Sequence, residues 1–126
     1  MCLLVIETDH LVRDNLTHHL RQRGFTVRAG QTRASVTRIL EECAVDVALL
    51  GLEGVGREAL EFLRIILATS PKTRVILMTP PDCLHYAIEG MKMGAFDDVP
   101  VPYDIDLLCA KIRRAASQRA RRTKPP

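Results

Sequence analysis

No apolar run in this 126-residue chain approaches the about 18 residues that a membrane span requires. A charged-then-apolar leader ending in a small-residue cleavage site is also missing, so neither a span nor a secretory signal is expected and the chain reads as cytoplasmic. There is no Cys-x-x-Cys pair. Cys2, Cys43, Cys83 and Cys109 are far apart, and only His85 lies close to one of them, which is too few ligands for a metal centre. Buried free thiols are expected instead, with no metal and no cofactor. Internal repeats and low-complexity stretches are absent, and the length leaves no room for a second folded domain.

What is present divides unevenly along the chain. The net charge of +3 conceals a segment, residues 111–126, with seven basic side chains and no acid, against 11 basic and 15 acidic residues before it. The body is therefore mildly acidic and its end basic. No aromatic residue or glycine interleaves those arginines, so the end reads as a solvated helix terminus and linker, able to touch nucleic acid only weakly or indirectly.

Strand-like and helix-like apolar periods alternate from end to end, the pattern of a parallel sheet with crossover helices. LLVIE (3–7), FTVRA (25–29), VALL (47–50), RVILMT (74–79) and a short run near 96–99 read as strands. After the first strand, Thr8 or Asp9 can cap a helix that turns Val12, Leu16 and Leu20 inward with Leu11 beside them and stops at Gly24. A second helix spans about 32–43, with Ala34, Val36, Ile39 and Leu40 facing inward, and a third spans 57–69 on Leu60, Leu63, Ile66 and Leu67. The fourth, 82–93, places Leu84, Ala87, Ile88 and Met91 on its inner face, leaving Tyr86, Gly90 and Met93 as a second stripe. Asp104 opens the last helix. In such sheets the chemistry lies beyond the carboxyl ends of the strands, which directs attention to 7–10, 51–56, 79–82 and 100–103.

Within that set, Gly51, Gly54 and Gly56 punctuate the turn from third strand to third helix. Such glycines can let backbone N–H groups close around a phosphate, or can mark a site whose working side chain has gone. Their order is not the dinucleotide fingerprint, which follows a first strand. His10 beside Glu7 and Asp9 reads as a capping or surface residue, and His18 and His19 as exposed.

The segments LLVIETDHLVRDNL, RVILMT and GAFDDVPVPYDIDLL resemble a receiver domain of two-component response regulators, of the chemotaxis-receiver type. The first strand ends in Glu7, Arg13 sits in the first helix, Thr79 closes the fourth strand, and the following helix closes in Gly94 and Ala95. The resemblance implies a flavodoxin-like (βα)5 fold, a doubly wound five-stranded parallel sheet in order 2-1-3-4-5. It covers residues 1–118 and leaves 119–126 as a basic C-terminal tail or linker. In that family an aspartate ending the third strand takes a phosphoryl group, assisted by Mg²⁺, an acid pair, a hydroxyl and a lysine. The nucleophile's position here is Gly51, which has no side chain to phosphorylate. Thr8 stands for the second acid, Val101 for the lysine before Pro102, and Val55 for a usual proline. Asp46 lies at the far end of its strand and cannot substitute, whereas Glu53 could sit over the vacant pocket as a fixed charge holding Thr79 inward.

The resemblance therefore implies a degenerate pocket of Glu7, Thr8, Gly51, Glu53, Thr79, Val101 and Pro102, with no phosphoacceptor, no catalytic residue and a cis bond before Pro102. Such a chain is not an enzyme. It would act as a phosphorylation-independent protein-interaction or dimerisation module in bacterial signal transduction or transcription regulation. Tyr86, Gly90, Met93, Asp97, Asp98, Lys111 and Arg114 are the expected interface, since receivers commonly associate through this part of the fold. The alternative is a sensor that binds a small anion or metabolite in the vacant pocket.

Overall fold

A computed structural model describes residues 1–54 and 56–122, the side chains of 119–122 excepted. Val55, residues 123–126 and the side chains of Arg119, Arg121 and Arg122 lie outside the described residues. Five parallel strands, β1 (Cys2–Ile6), β2 (Thr26–Gly30), β3 (Val47–Gly51), β4 (Arg74–Thr79) and β5 (Asp97–Pro100), form one sheet in order β2-β1-β3-β4-β5. Helices α1 (His10–Gln22), α2 (Arg33–Glu42), α3 (Arg57–Thr69), α4 (Leu84–Met93) and α5 (Ile105–Arg122) alternate with them. This is the expected flavodoxin-like (βα)5 architecture, with strand order 2-1-3-4-5.

Side-chain alternation along each strand divides the core into two layers. Leu3, Val5, Val47, Leu49, Ile76 and Met78 pack with Leu16 and Leu20 of α1 and with Leu108 and Ile112 of α5. Leu4, Ile6, Ala48, Leu50, Val75 and Leu77 meet α2, α3 and α4 on the other face. Helix starts follow local hydrogen bonding. The carboxylate of Asp9, not Thr8, caps α1 by accepting the Leu11 and Val12 N–H groups, Thr32 and Ser35 form a capping box on α2, and Asp104 accepts from Asp106 and Leu107.

The inward faces differ from the sequence pattern at several positions. Leu11 is exposed and Val12 half-buried at the start of α1, whose buried apolar contacts are carried by Leu16 and Leu20 further along. Ala34 is exposed at the start of α2. The largest correction concerns α4. A single 3₁₀ turn, Pro81–Cys83, precedes it, and Ala87 is the one expected inward residue that is buried. Leu84, Ile88 and Met91 are 57%, 52% and 39% exposed. The residues facing the sheet are instead Cys83, Ala87 and Gly90, with Tyr86 and Met93 half-buried beside them. A Cβ on Gly90 would lie 2.8 Å from Leu77 Cδ1, so the helix lies too close to β4 for large side chains on that side.

Helix α5 runs on to Arg122, with neither glycine nor proline to interrupt this segment. Among the described residues, no helix is long and apolar enough to cross a membrane.

Candidate functional site

Because all five strands run the same way, their carboxyl ends bring together Glu7, just past β1, Gly51 at the end of β3, Thr79 at the end of β4, and Val101 and Pro102 just past β5. Gly51 pairs with Met78, and alternation turns residue 51 and Met78 toward the α1/α5 layer. The space that a side chain at residue 51 would fill is taken by the Glu7 carboxylate. Glu7 is only 7% exposed, and its Oε1 accepts the Asp9 N–H at 3.2 Å. Burial raises the pKa of this carboxyl; the Asp9 backbone hydrogen bond opposes the rise, and the charge of Glu53 adds to it. Arg13 does not neutralise it, since the guanidinium donates to the Glu7 backbone carbonyl at 3.2 Å.

The remaining expected site residues are placed as follows. Thr79 is buried, with its hydroxyl 3.4 Å from the Leu77 carbonyl that accepts from it, an intrastrand contact. Val101 donates its N–H to the Thr79 carbonyl at 3.0 Å, and the Val101–Pro102 bond is cis. Thr8 points into solvent and does not join the group. Asp46 lies at the other end of the sheet, where its carboxylate accepts the Cys2 N–H at 2.9 Å. In the glycine turn, Leu52 N–H donates to the Met78 carbonyl and Gly56 N–H to the Leu52 carbonyl. These two amides are therefore committed within the fold rather than turned toward a phosphate. Gly56 has φ +48°, and a Cβ there would lie 3.0 Å from the Tyr86 ring, so this glycine is needed for both backbone and packing.

A cavity of about 40 Å³ opens beside Glu7, bounded by Val12, Met78, Val101 and Tyr103, with Glu53 at its rim. Its lining carries two carboxylates and no basic side chain. An anion entering it would meet repulsion and little hydrogen-bonding compensation, so the geometry opposes the expected anion pocket. Tyr103 falls in the 100–103 stretch that the sequence singled out, although it was given no role there. Its hydroxyl meets His19 Nδ1 at 2.7 Å, and the ring covers the cavity from the side of α1. Its place next to Pro102, at the end of the fifth strand, was the available signal.

Of the residues expected at an interface, Gly90 is buried against Leu77, while Tyr86 and Met93 are half-buried against the core. Gly90 is thus taken up by packing, while Tyr86 and Met93 keep part of their surface open. Asp97 and Lys111 form an ion pair at 3.5 Å, and Lys111 also donates to the Asp98 carbonyl at 2.7 Å. Arg114 is exposed. The open surface between α4 and β5 is instead a groove of about 410 Å³ formed by Leu84, Ala87, Ile88 and Met91, with Lys92 and Asp98 at its margin. The small residues Cys83, Ala87 and Gly90, spaced at four and three, were the sequence signal for this helix phase.

A family model described as the response regulator receiver domain matches residues 3–113. Among proteins, the chain is similar to the DNA-binding transcriptional regulator NtrC of Escherichia coli K12, at 31% identity over 96% of this chain and 26% of that protein. It is also similar to the transcriptional regulatory protein YkoG of Bacillus subtilis, at 29% identity over 96% of this chain and 53% of that protein. The chain spans about a quarter to a half of the length of these relatives. Among solved structures, a response regulator receiver domain protein from Clostridium thermocellum superposes with TM-score 0.85 at 26% identity, covering 94% of this chain and 96% of that one. Full-length FixJ of B. japonicum gives TM-score 0.84 at 26% identity over 94% of this chain and 58% of that one.

Proposed function

Because the chain belongs to the response regulator receiver domain family, we propose that it works without phosphorylation, as a module that binds a protein partner or a second copy of itself in two-component signalling or transcription control. The observation that carries this reading is the Glu7 carboxylate lying where a side chain at residue 51 would stand. A phosphoacceptor needs a nucleophilic oxygen at the end of β3, and Gly51 provides none. A phosphoryl group also needs positive charge around its oxygens, and no basic side chain lines the adjacent cavity. Nor do these residues fit the divalent cation the family implies. Glu7 is the one carboxylate buried at this point, Thr8 is exposed, and Asp9 is engaged in capping α1, whereas a hard cation demands several convergent oxygens.

The surface left for function is the α4–β5 groove. Leu84, Ile88 and Met91 form a contiguous apolar stripe one helical turn apart, and the adjacent Lys92 and Asp98 suit a self-complementary contact. The similarity to the DNA-binding transcriptional regulator NtrC and to the transcriptional regulatory protein YkoG supports a place in transcription control. The domain itself catalyses nothing in this reading.

The test has two arms. Incubation with a small acyl phosphate and Mg²⁺ leaves the intact mass unchanged, and appearance of an acid-labile phosphoryl adduct would overturn the reading. Ile88→Glu lowers self-association or capture of a cognate partner. Association that persists unaltered, through a different surface, would remove the α4–β5 groove from the proposal.

A further inference from the structure

At the amino-terminal end of the sheet, away from Gly51, two of the four cysteines are half-exposed and converge. Parallel register pairs Cys2 with Thr26 and Leu4 with Arg28, so Cys2 and Arg28 turn their side chains to the same face. That face is the one α2 covers, and Cys43 is the residue that ends α2. Arg28 Nη1 donates to Cys43 Sγ at 3.0 Å while its Nη2 holds Glu42 at 3.1 Å, which fixes the sulfur from the β2 side. Cys2 is fixed from below, its N–H bonded to the Asp46 carboxylate at 2.9 Å. Both thiols pack against the same apolar cluster, and they lie near enough for Cys43 to act on the Cys2 thiol. Cys83 and Cys109, by contrast, are buried. The expectation of four buried thiols thus holds for two of them.

We propose that Cys2 and Cys43 form a thiol-exchange site that is modified by low-molecular-weight disulfides and closes to an intramolecular disulfide. Reactive thiolates occur beside cations, and the Arg28 guanidinium marks Cys43 as the attacking sulfur. Burial raises the Cys2 pKa, and the neighbouring Cys43 and Asp46 add to the rise, so Cys2 is the less ionised of the two and attacks second. In the first step Cys43, as thiolate, attacks one sulfur of the small disulfide and expels its other half as a thiolate. Cys2 then gives its proton to solvent and attacks the Cys43 sulfur, expelling the second half. The two protein thiols are oxidised to one disulfide, and the small disulfide is reduced to two thiols that take up the two protons. The product ties the first strand to the end of α2, independently of any chemistry at Gly51.

The full reduced chain is incubated with oxidised glutathione, quenched in acid, alkylated under denaturing conditions and measured by intact mass and peptide mapping. The expected product is lighter than the reduced chain by two hydrogens before alkylation, with the peptides of Cys2 and Cys43 linked and Cys83 and Cys109 alkylated. Cys2→Ser is expected to stop at a stable glutathionyl adduct on Cys43. Accumulation of such an adduct in the parent chain without closure, linkage through Cys83 or Cys109, or a chain that stays fully alkylatable would each overturn the proposal.

Discussion

The carboxylate of Glu7 fills the volume that a side chain on Gly51 would occupy, so these two residues, 44 positions apart, determine one another. A glycine at the end of β3 admits the glutamate, and the glutamate in turn excludes a larger residue there. Gly51→Ala therefore forces the Glu7 carboxylate aside and, since only the flexible end of that side chain has to move, is expected to destabilise the fold by about 1 kcal/mol, the low end for overpacking. Combined with Glu7→Ala, the same substitution should cost much less. Urea denaturation of the four chains in a double-mutant cycle measures the coupling, and additive losses would show that the contact carries no energy.

The same carboxyl makes stability depend on pH. Burial raises Glu7 above its ordinary 4.5, so the folded chain binds this proton more tightly than the unfolded chain does. The stability it contributes is fully present below about pH 4.5 and is lost as the pH rises through the folded value. Glu7→Gln stays neutral throughout and should lose less stability between acid and neutral pH. Denaturation midpoints that fall in parallel for parent and variant would contradict this.

Gly90 tests the close approach of α4. In an open helix, glycine to alanine gains about 1 kcal/mol from propensity. Here the new methyl would meet fully buried Leu77, and Gly90→Ala is expected to destabilise by roughly 1 kcal/mol net. Thermal melting of Gly90→Ala and of Gly90→Ala with Leu77→Val distinguishes the two contributions, since trimming Leu77 should recover the propensity gain.

The exposed stripe predicts the opposite behaviour. Ile88 is half in solvent, so Ile88→Glu should change folding stability by no more than about 0.5 kcal/mol. Its effect on association should be tenfold or more, or about 1.4 kcal/mol in binding free energy. Analytical ultracentrifugation and chemical denaturation of one preparation read both quantities.

The cap of α1 offers a purely local test. Asp9 accepts two N–H groups, at 2.9 and 3.3 Å, and Asp9→Ala should cost about 1 kcal/mol. Thr8→Ala, at an exposed position that caps nothing, should be nearly silent in the same denaturation assay.

Much of this molecule could be read from the chain alone, because strand and helix periods are local properties. Alternating apolar segments determined a parallel sheet, and a parallel sheet necessarily gathers Glu7, Gly51, Thr79 and Val101 at one end. Glycine at residue 51 removed the nucleophile without reference to any coordinate. The phase of α4 was beyond that reach. Apolar patterning reports which residues carry oily surface, and by that measure Leu84, Ile88 and Met91 belonged inside. Whether a helix faces its sheet with large or small residues depends on how closely the backbones approach, and only the packing of Gly90 against Leu77 decided it. The meeting of Glu7 with Gly51, and of Cys2 with Cys43, likewise had to await the fold, since contacts between distant segments depend on register and depth that no single segment encodes.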